Sequence, residues 1–169
     1  MNPNLAEWND ADQAAAMDVM IACCGARRWA AAMVGLRPVA GIVELSEAAD
    51  RVWSTMEVAD WMEAFACHPR IGERQATRAS AQSGAWSRQE QAAAANAEAR
   101  AMAELAEGNA AYEERFGFTY IVCATGRSVP EMLAILRRRL GNDRSAELRE
   151  AAEQQRQITR IRLGKWRAT

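Results

Sequence analysis

The single histidine of this 169-residue chain, His68, lies in the stretch FACHPRIGER, between Cys67 and Pro69. Imidazole is the one side chain whose ordinary pKa lies near neutrality, so it can take up and return a proton within one reaction cycle. Trp61, Ala64, Phe65 and His68 recur at i, i+3, i+4 and i+7, which puts the ring on the apolar face of a helix VADWMEAFACH. Proline at 69 turns its predecessor away from αR, so His68 is expected at that helix's C-terminal end. There the helix dipole favours the protonated ring and burial opposes it. The same facts also describe a core or capping histidine with no chemistry. The residues by themselves leave both readings open.

A second group is SRQEQ, Ser87 to Gln91, at the head of an alanine-rich segment. Structurally, Ser87-x-x-Glu90 is a capping box, in which serine accepts from the third amide and glutamate reaches back. Functionally, Glu90 and Gln91 side by side match a urea-like group: the carboxylate accepts where urea donates, and the amide does both. A similar box, Ser128-x-x-Glu131 with Pro130 in the first turn, is assigned to structure. Arg162 ends a stripe of Ala151, Ala152, Gln155 and Ile158 that is apolar until its end. It either snorkels or presents a planar fork to a carboxylate. Lys165 is the sole lysine, so Schiff-base chemistry is a poor fit. Cys23, Cys24, Cys67 and Cys123 contain no CxxC pair, and they read as reduced thiols rather than zinc ligands.

The elements that must position these groups are helical nearly throughout. Asp10 or Asp12 can cap AAAMDVMIACC, closed near Gly25; RRWAAAMVG follows, until Arg37-Pro38 resists continuation. Ser46 is expected to cap LSEAADRVWSTM. One long helix is expected over RQEQAAAANAEARAMAELAEGNAAYEERF, and two more over PEMLAILRRRL and AELREAAEQQRQITRIRLGKW. FGFTYIVCATG, residues 116–126, breaks the pattern: it is aromatic, β-branched and bounded by glycines. It is either a lone extended segment through the core or a buried helix start. A lone segment has no strand to pair with, so some of its backbone groups must bond elsewhere, and its N–H groups become candidates for ligand binding. The expected fold is all-α, one compact multi-helix domain over residues 1–169 with a short extended segment in its core.

The length suits a single core without metal or disulfide staples. A formal net charge of −1 argues against nucleic acid as the main partner. Acidic residues dominate the first 68 positions and basic ones the region 127–167, an asymmetry that can attract an anionic ligand. The polar, acidic start MNPNLAEWNDAD does not read as a signal or transit peptide, and no apolar run approaches the ~18 residues of a membrane span. A cytoplasmic protein acting on a small molecule, away from membranes, is the expectation.

Together HPRIGE (His68 to Glu73), SxxEQ (Ser87 to Gln91), FGFTYIVCATGRS (Phe116 to Ser128) and RIRL (Arg160 to Leu163) resemble the 2-oxo-4-hydroxy-4-carboxy-5-ureidoimidazoline (OHCU) decarboxylase family of ureide metabolism. CCGARRW, Cys23 to Trp29, is similar to one branch of it. HPRIG followed by SxxEQ is the specific part. The resemblance implies a cofactor-free, all-α carboxy-lyase that converts OHCU to (S)-allantoin in urate degradation, and a homodimer. It implies His68 as catalytic acid/base with Glu90 beside it. It further implies Pro69 lining the pocket, Ser87, Glu90 and Gln91 on the ureido group, and backbone contacts from Tyr120, Ile121, Val122, Cys123 and Ala124. Arg162 is implied as partner of an anionic group. Thr119-Tyr120 stands where the family often has Pro-Phe. Two other classes are open: a catalytically silent helical ureide-binding protein, and a thiol hydrolase using Cys67 and His68. The second is disfavoured because adjacent helical residues diverge by about 100°.

Overall fold

The computed structural model describes residues 2–71 and 88–166, and side chains in the second stretch from residue 95 onward. Among the described residues there are eight helices and no strand. In chain order they are α1 Pro3–Asp10, α2 Gln13–Cys24, α3 Arg27–Val34, α4 Ile42–Ser54, α5 Val58–Ala66, α6 Arg88–Phe116, α7 Val129–Arg139 and α8 Arg144–Trp166. The all-α expectation holds. No described helix is long and apolar enough to cross a membrane. Contacts gather the chain into two compact units, Met1–Cys67 with Leu148–Thr169, and His68–Glu147.

The first unit is stitched by tryptophan. A buried indole contributes a large apolar surface but still needs a partner for its N–H. Trp8 donates to Ala16 O at 3.1 Å, Trp29 to Ala49 O at 3.1 Å and Trp53 to Ala152 O at 3.0 Å. These three bonds join α1 to α2, α3 to α4 and α4 to α8. Asp12 caps α2 by accepting from the Ala15 amide at 2.8 Å, and the helix closes at Gly25, as the sequence suggests.

Three local expectations change. The opening segment forms α1, with Asn2 accepting from the Leu5 amide and Pro3 in the first turn; Arg37 caps its far end by donating to Trp8 O and Ala11 O. Ser46 is no cap: α4 starts earlier, at Ile42, where Glu44 reaches back to accept from the Ala40 amide at 2.9 Å. That carboxylate in the first turn suits the helix dipole, so the start needs no serine. The helix before His68 stops at Ala66, because Cys67 closes it with a tightened bond from its amide to Ala64 O at 3.2 Å. His68 therefore lies in a bend beyond α5 instead of on its last turn.

In the second unit α6 packs along α7, around Leu105, Tyr112, Phe116, Met132 and Leu136. Gly108 allows this approach, since a Cβ there would run into the Leu136 side chain. Residues 117–128 link the two helices with neither helix nor ladder: Gly117 at φ +78° and Gly126 at φ +77° flank residues 118–125, and a turn follows in which the Arg127 amide donates to Ala124 O at 3.1 Å. Side chains other than glycine rarely adopt that backbone, so the glycines fix where the segment turns. The Ser128 capping box then starts α7: Ser128 N donates to Glu131 at 2.6 Å, and the Glu131 amide donates to Ser128 Oγ at 3.3 Å. Ser128→Ala is expected to cost about 1 kcal/mol in urea unfolding, the usual value of a lost serine cap.

Candidate functional site

His68 and Pro69 stand at the start of the second unit, the imidazole half-buried and the proline exposed. The two residues that follow are tied to α6. Arg70 forms a fork with Glu113, Nε to Oε1 at 2.8 Å and Nη2 to Oε2 at 2.7 Å. Ile71 O accepts from Asn109 Nδ2 at 2.9 Å. Arg70 holds the Glu113 carboxyl below its ordinary value of 4.5. Ser87 lies outside the described residues. Glu90 and Gln91 lie in the first turn of α6, where backbone N–H groups have no intrahelical acceptor.

The extended segment is buried at Tyr120, Ile121, Val122 and Cys123, and half-buried at Ala124. Among the described residues the amides of Tyr120, Ile121 and Val122 donate to no backbone carbonyl. What replaces a neighbouring strand is Arg139, fully buried on α7. Its Nη1 donates to Ile121 O at 2.6 Å, and its Nε donates to the buried Glu147 at 2.7 Å. Tyr112 Oη also donates to Glu147 and accepts from Arg139 Nη2 at 3.3 Å, while Asn142 Nδ2 reaches the other carboxylate oxygen at 2.8 Å. The guanidinium lies 4.9 Å from the centre of the Tyr120 ring, and Tyr120 Oη donates to Met132 O at 3.1 Å. Burial is the largest single influence on Arg139 and works against its charge, but the hydrogen bond to Glu147 together with the nearby Tyr112, Glu147 and Tyr120 outweighs it and holds the group above its ordinary value. Burial pushes the Tyr120 hydroxyl up to about 12, so it stays a donor.

Arg162 belongs to the first unit. Its Nη1 donates to Cys23 O at 3.3 Å, at the C-terminal end of α2. That carbonyl is among the last of the helix, where a guanidinium suits the dipole. Burial raises the thiols of Cys23 and Cys24 to about 11, so both are thiols at neutral pH.

Sequence reasoning missed Arg139, Glu147, Asn109 and Glu113. A signal existed for two of them. Met132, Leu136 and Arg139 are spaced i, i+4 and i+7, and Leu105, Asn109, Tyr112 and Phe116 continue one apolar face of α6.

Comparison with known proteins adds the family. The OHCU decarboxylase family matches residues 9–164. The chain is 38% identical over 144 residues to the uric acid degradation bifunctional protein TTL of Arabidopsis thaliana, covering 85% of this chain and 44% of that protein. It thus spans less than half the length of that relative. It is 31% identical over 134 residues to the 2-oxo-4-hydroxy-4-carboxy-5-ureidoimidazoline decarboxylase of Amia calva, covering 79% and 77% of the two chains. A crystal structure of an OHCU decarboxylase in the presence of (S)-allantoin superposes with a TM-score of 0.73 at 33% identity, over 90% of this chain and 99% of that one. A crystal structure of (S)-allantoin synthase shares the fold, with a TM-score of 0.69 at 17% identity, over 96% of this chain and 53% of that one.

Two outcomes follow from the geometry. Arg139→Met strands a buried carboxylate, so urea unfolding should show a loss of about 3–5 kcal/mol, and Arg139→Met with Glu147→Leu should lose less. The Arg70–Glu113 pair contributes fully above the ordinary glutamate value of 4.5 and is lost only as pH falls through the lower value of the folded state. A carboxyl-carbon NMR titration should place Glu113 below 4.5, and Arg70→Ala should return it towards that value.

Proposed function

This chain belongs to the OHCU decarboxylase family, and on that premise we propose that it decarboxylates OHCU to (S)-allantoin in urate degradation. The observation that carries this reading is the near full-length correspondence with the decarboxylase crystallised in the presence of (S)-allantoin. His68 is the acid/base. Glu90 acts beside it, with Ser87 and Gln91 on the ureido group, Pro69 against the ring, and Tyr120 to Ala124 offering main-chain groups. Arg162 faces an anionic group of the ligand. The working protein is a cytoplasmic homodimer with a small-molecule substrate.

The chemistry asks little beyond placement and proton transfer. Loss of CO2 leaves an electron pair that the substrate's own ring C=N accepts. The protein must hold the leaving carboxylate out of conjugation, mobilise the hydroxyl proton and deliver a proton to one face of the ring. An imidazole suits both transfers, because it is strong enough as a base and weak enough as an acid near neutral pH. Stereochemistry follows when a single donor reaches a single face. The amides of Tyr120, Ile121 and Val122, unspent on backbone partners among the described residues, support the assignment of the extended segment to ligand contacts.

Freshly generated OHCU, followed by circular dichroism, tests the reading. Spontaneous decay gives racemic allantoin, so the protein should produce a one-handed signal, and His68→Ala should abolish it. Full rate and full enantiomeric excess in His68→Ala would remove His68 from the mechanism. An unchanged racemic decay with wild-type protein would refute the activity itself.

A further inference from the structure

The segment His68 to Ile71 has two anchors on one face of α6, at residues four apart. Asn109 is 3% exposed, and its Nδ2 donates to Ile71 O. Its Oδ1 is buried with no hydrogen-bond partner among the described residues. A buried acceptor left bare is costly, and native structures rarely keep one without a reason. Here the amide is committed to a single carbonyl of the segment. One turn on, Glu113 takes the Arg70 guanidinium through both oxygens. Pro69 stands between His68 and these anchors, and its ring locks φ near −65°. Few soft dihedrals then separate the His68 backbone from two fixed points on a 29-residue helix.

We propose that Asn109 and Glu113 are positioning residues that clamp Arg70 and Ile71 to α6 and so set the place of the His68 imidazole. This rests on the reading of His68 as the acid/base. Stability alone does not account for the fork, because Arg70 is 58% exposed and exposed ion pairs contribute little to folding. Its effect falls on geometry, where a displacement of about 1 Å from a remote change can slow a reaction about a hundredfold.

The test is steady-state turnover of OHCU by Arg70→Ala, Glu113→Gln, Asn109→Asp and the exchanged pair Arg70→Glu with Glu113→Arg, beside His68→Asn. The single changes at 70 and 113 should lower kcat about tenfold with KM little changed. Melting temperatures should stay within about 2 °C of wild type. The exchanged pair should recover most of the lost kcat. Asn109→Asp, which replaces the donor with an acceptor, should lower kcat at least as far. Wild-type kcat in Arg70→Ala and Glu113→Gln, with His68→Asn inactive, overturns the clamp and leaves the acid/base reading standing. Equal losses in the singles and the exchanged pair also overturn it. A fully active His68→Asn overturns both.

Discussion

A buried guanidinium with a buried carboxylate is the constraint on which the second unit is organised. Arg139 and Glu147 are both fully buried, and removing either strands the other in a medium that solvates it poorly. The pair is kept in place by hydrogen bonds to both partners: Tyr112 and Asn142 on the carboxylate, Ile121 O on the guanidinium, and aromatic faces around the charge. An apolar pair of the same volume would be as stable or more so. It would not hold the Ile121 carbonyl. Arg139 thus does for residues 117–128 what a neighbouring strand does in a sheet, on one carbonyl and from one side, and leaves the amides of Tyr120 to Val122 without backbone partners among the described residues.

An all-α fold offers few places for such main-chain groups, since helices consume their own amides except at their ends. Among the described residues such groups include the head of α6, which holds Glu90 and Gln91, and the segment that follows the same helix. A urea-like ligand has donors and acceptors in one plane, and such main-chain groups together with carboxamide and carboxylate side chains can match it.

Much of the fold was legible because it rests on local chemistry. Asp12, Gly25 and the Ser128–Glu131 box act within a few residues of the chain, and each does what its type suggests. Ser46 misled because the same helix starts earlier, at Ile42, with Glu44 in its first turn, and α1 escaped because Asn2 and Pro3 sit in a stretch whose polarity hides its amphipathic turn. The 116–126 segment was legible as a break in the helical pattern, from its residue types and flanking glycines. Arg139 was not, because three consecutive arginines read as a solvated basic face; only the register against Met132 and Leu136 separates the buried one from Arg137, which pairs at the surface with Glu104. Asn109 sits on a legible apolar face, but its pairing and that of Glu113 were not legible. Their partners lie 38 and 43 residues away, and no local pattern encodes that pairing.

The two sets of long-range ties meet on a single turn of α6. Asn109 and Glu113 hold Ile71 and Arg70, and Tyr112, between them, joins the Arg139–Glu147 network that holds Ile121. Residues at i, i+3 and i+4 are fixed relative to one another by the helix itself, whose backbone bonds do not yield on the scale of an ångström. Transfer of a proton to one face of a bound ring needs its donor and its cradle placed relative to each other to about half an ångström. On the proposed reading His68 is the donor and residues 120–124 the cradle, and reference to the same helical turn makes errors elsewhere in the chain move them together. A fault in that turn moves them apart, so residues 109–113 bear on the geometry more strongly than their distance along the sequence from His68 suggests.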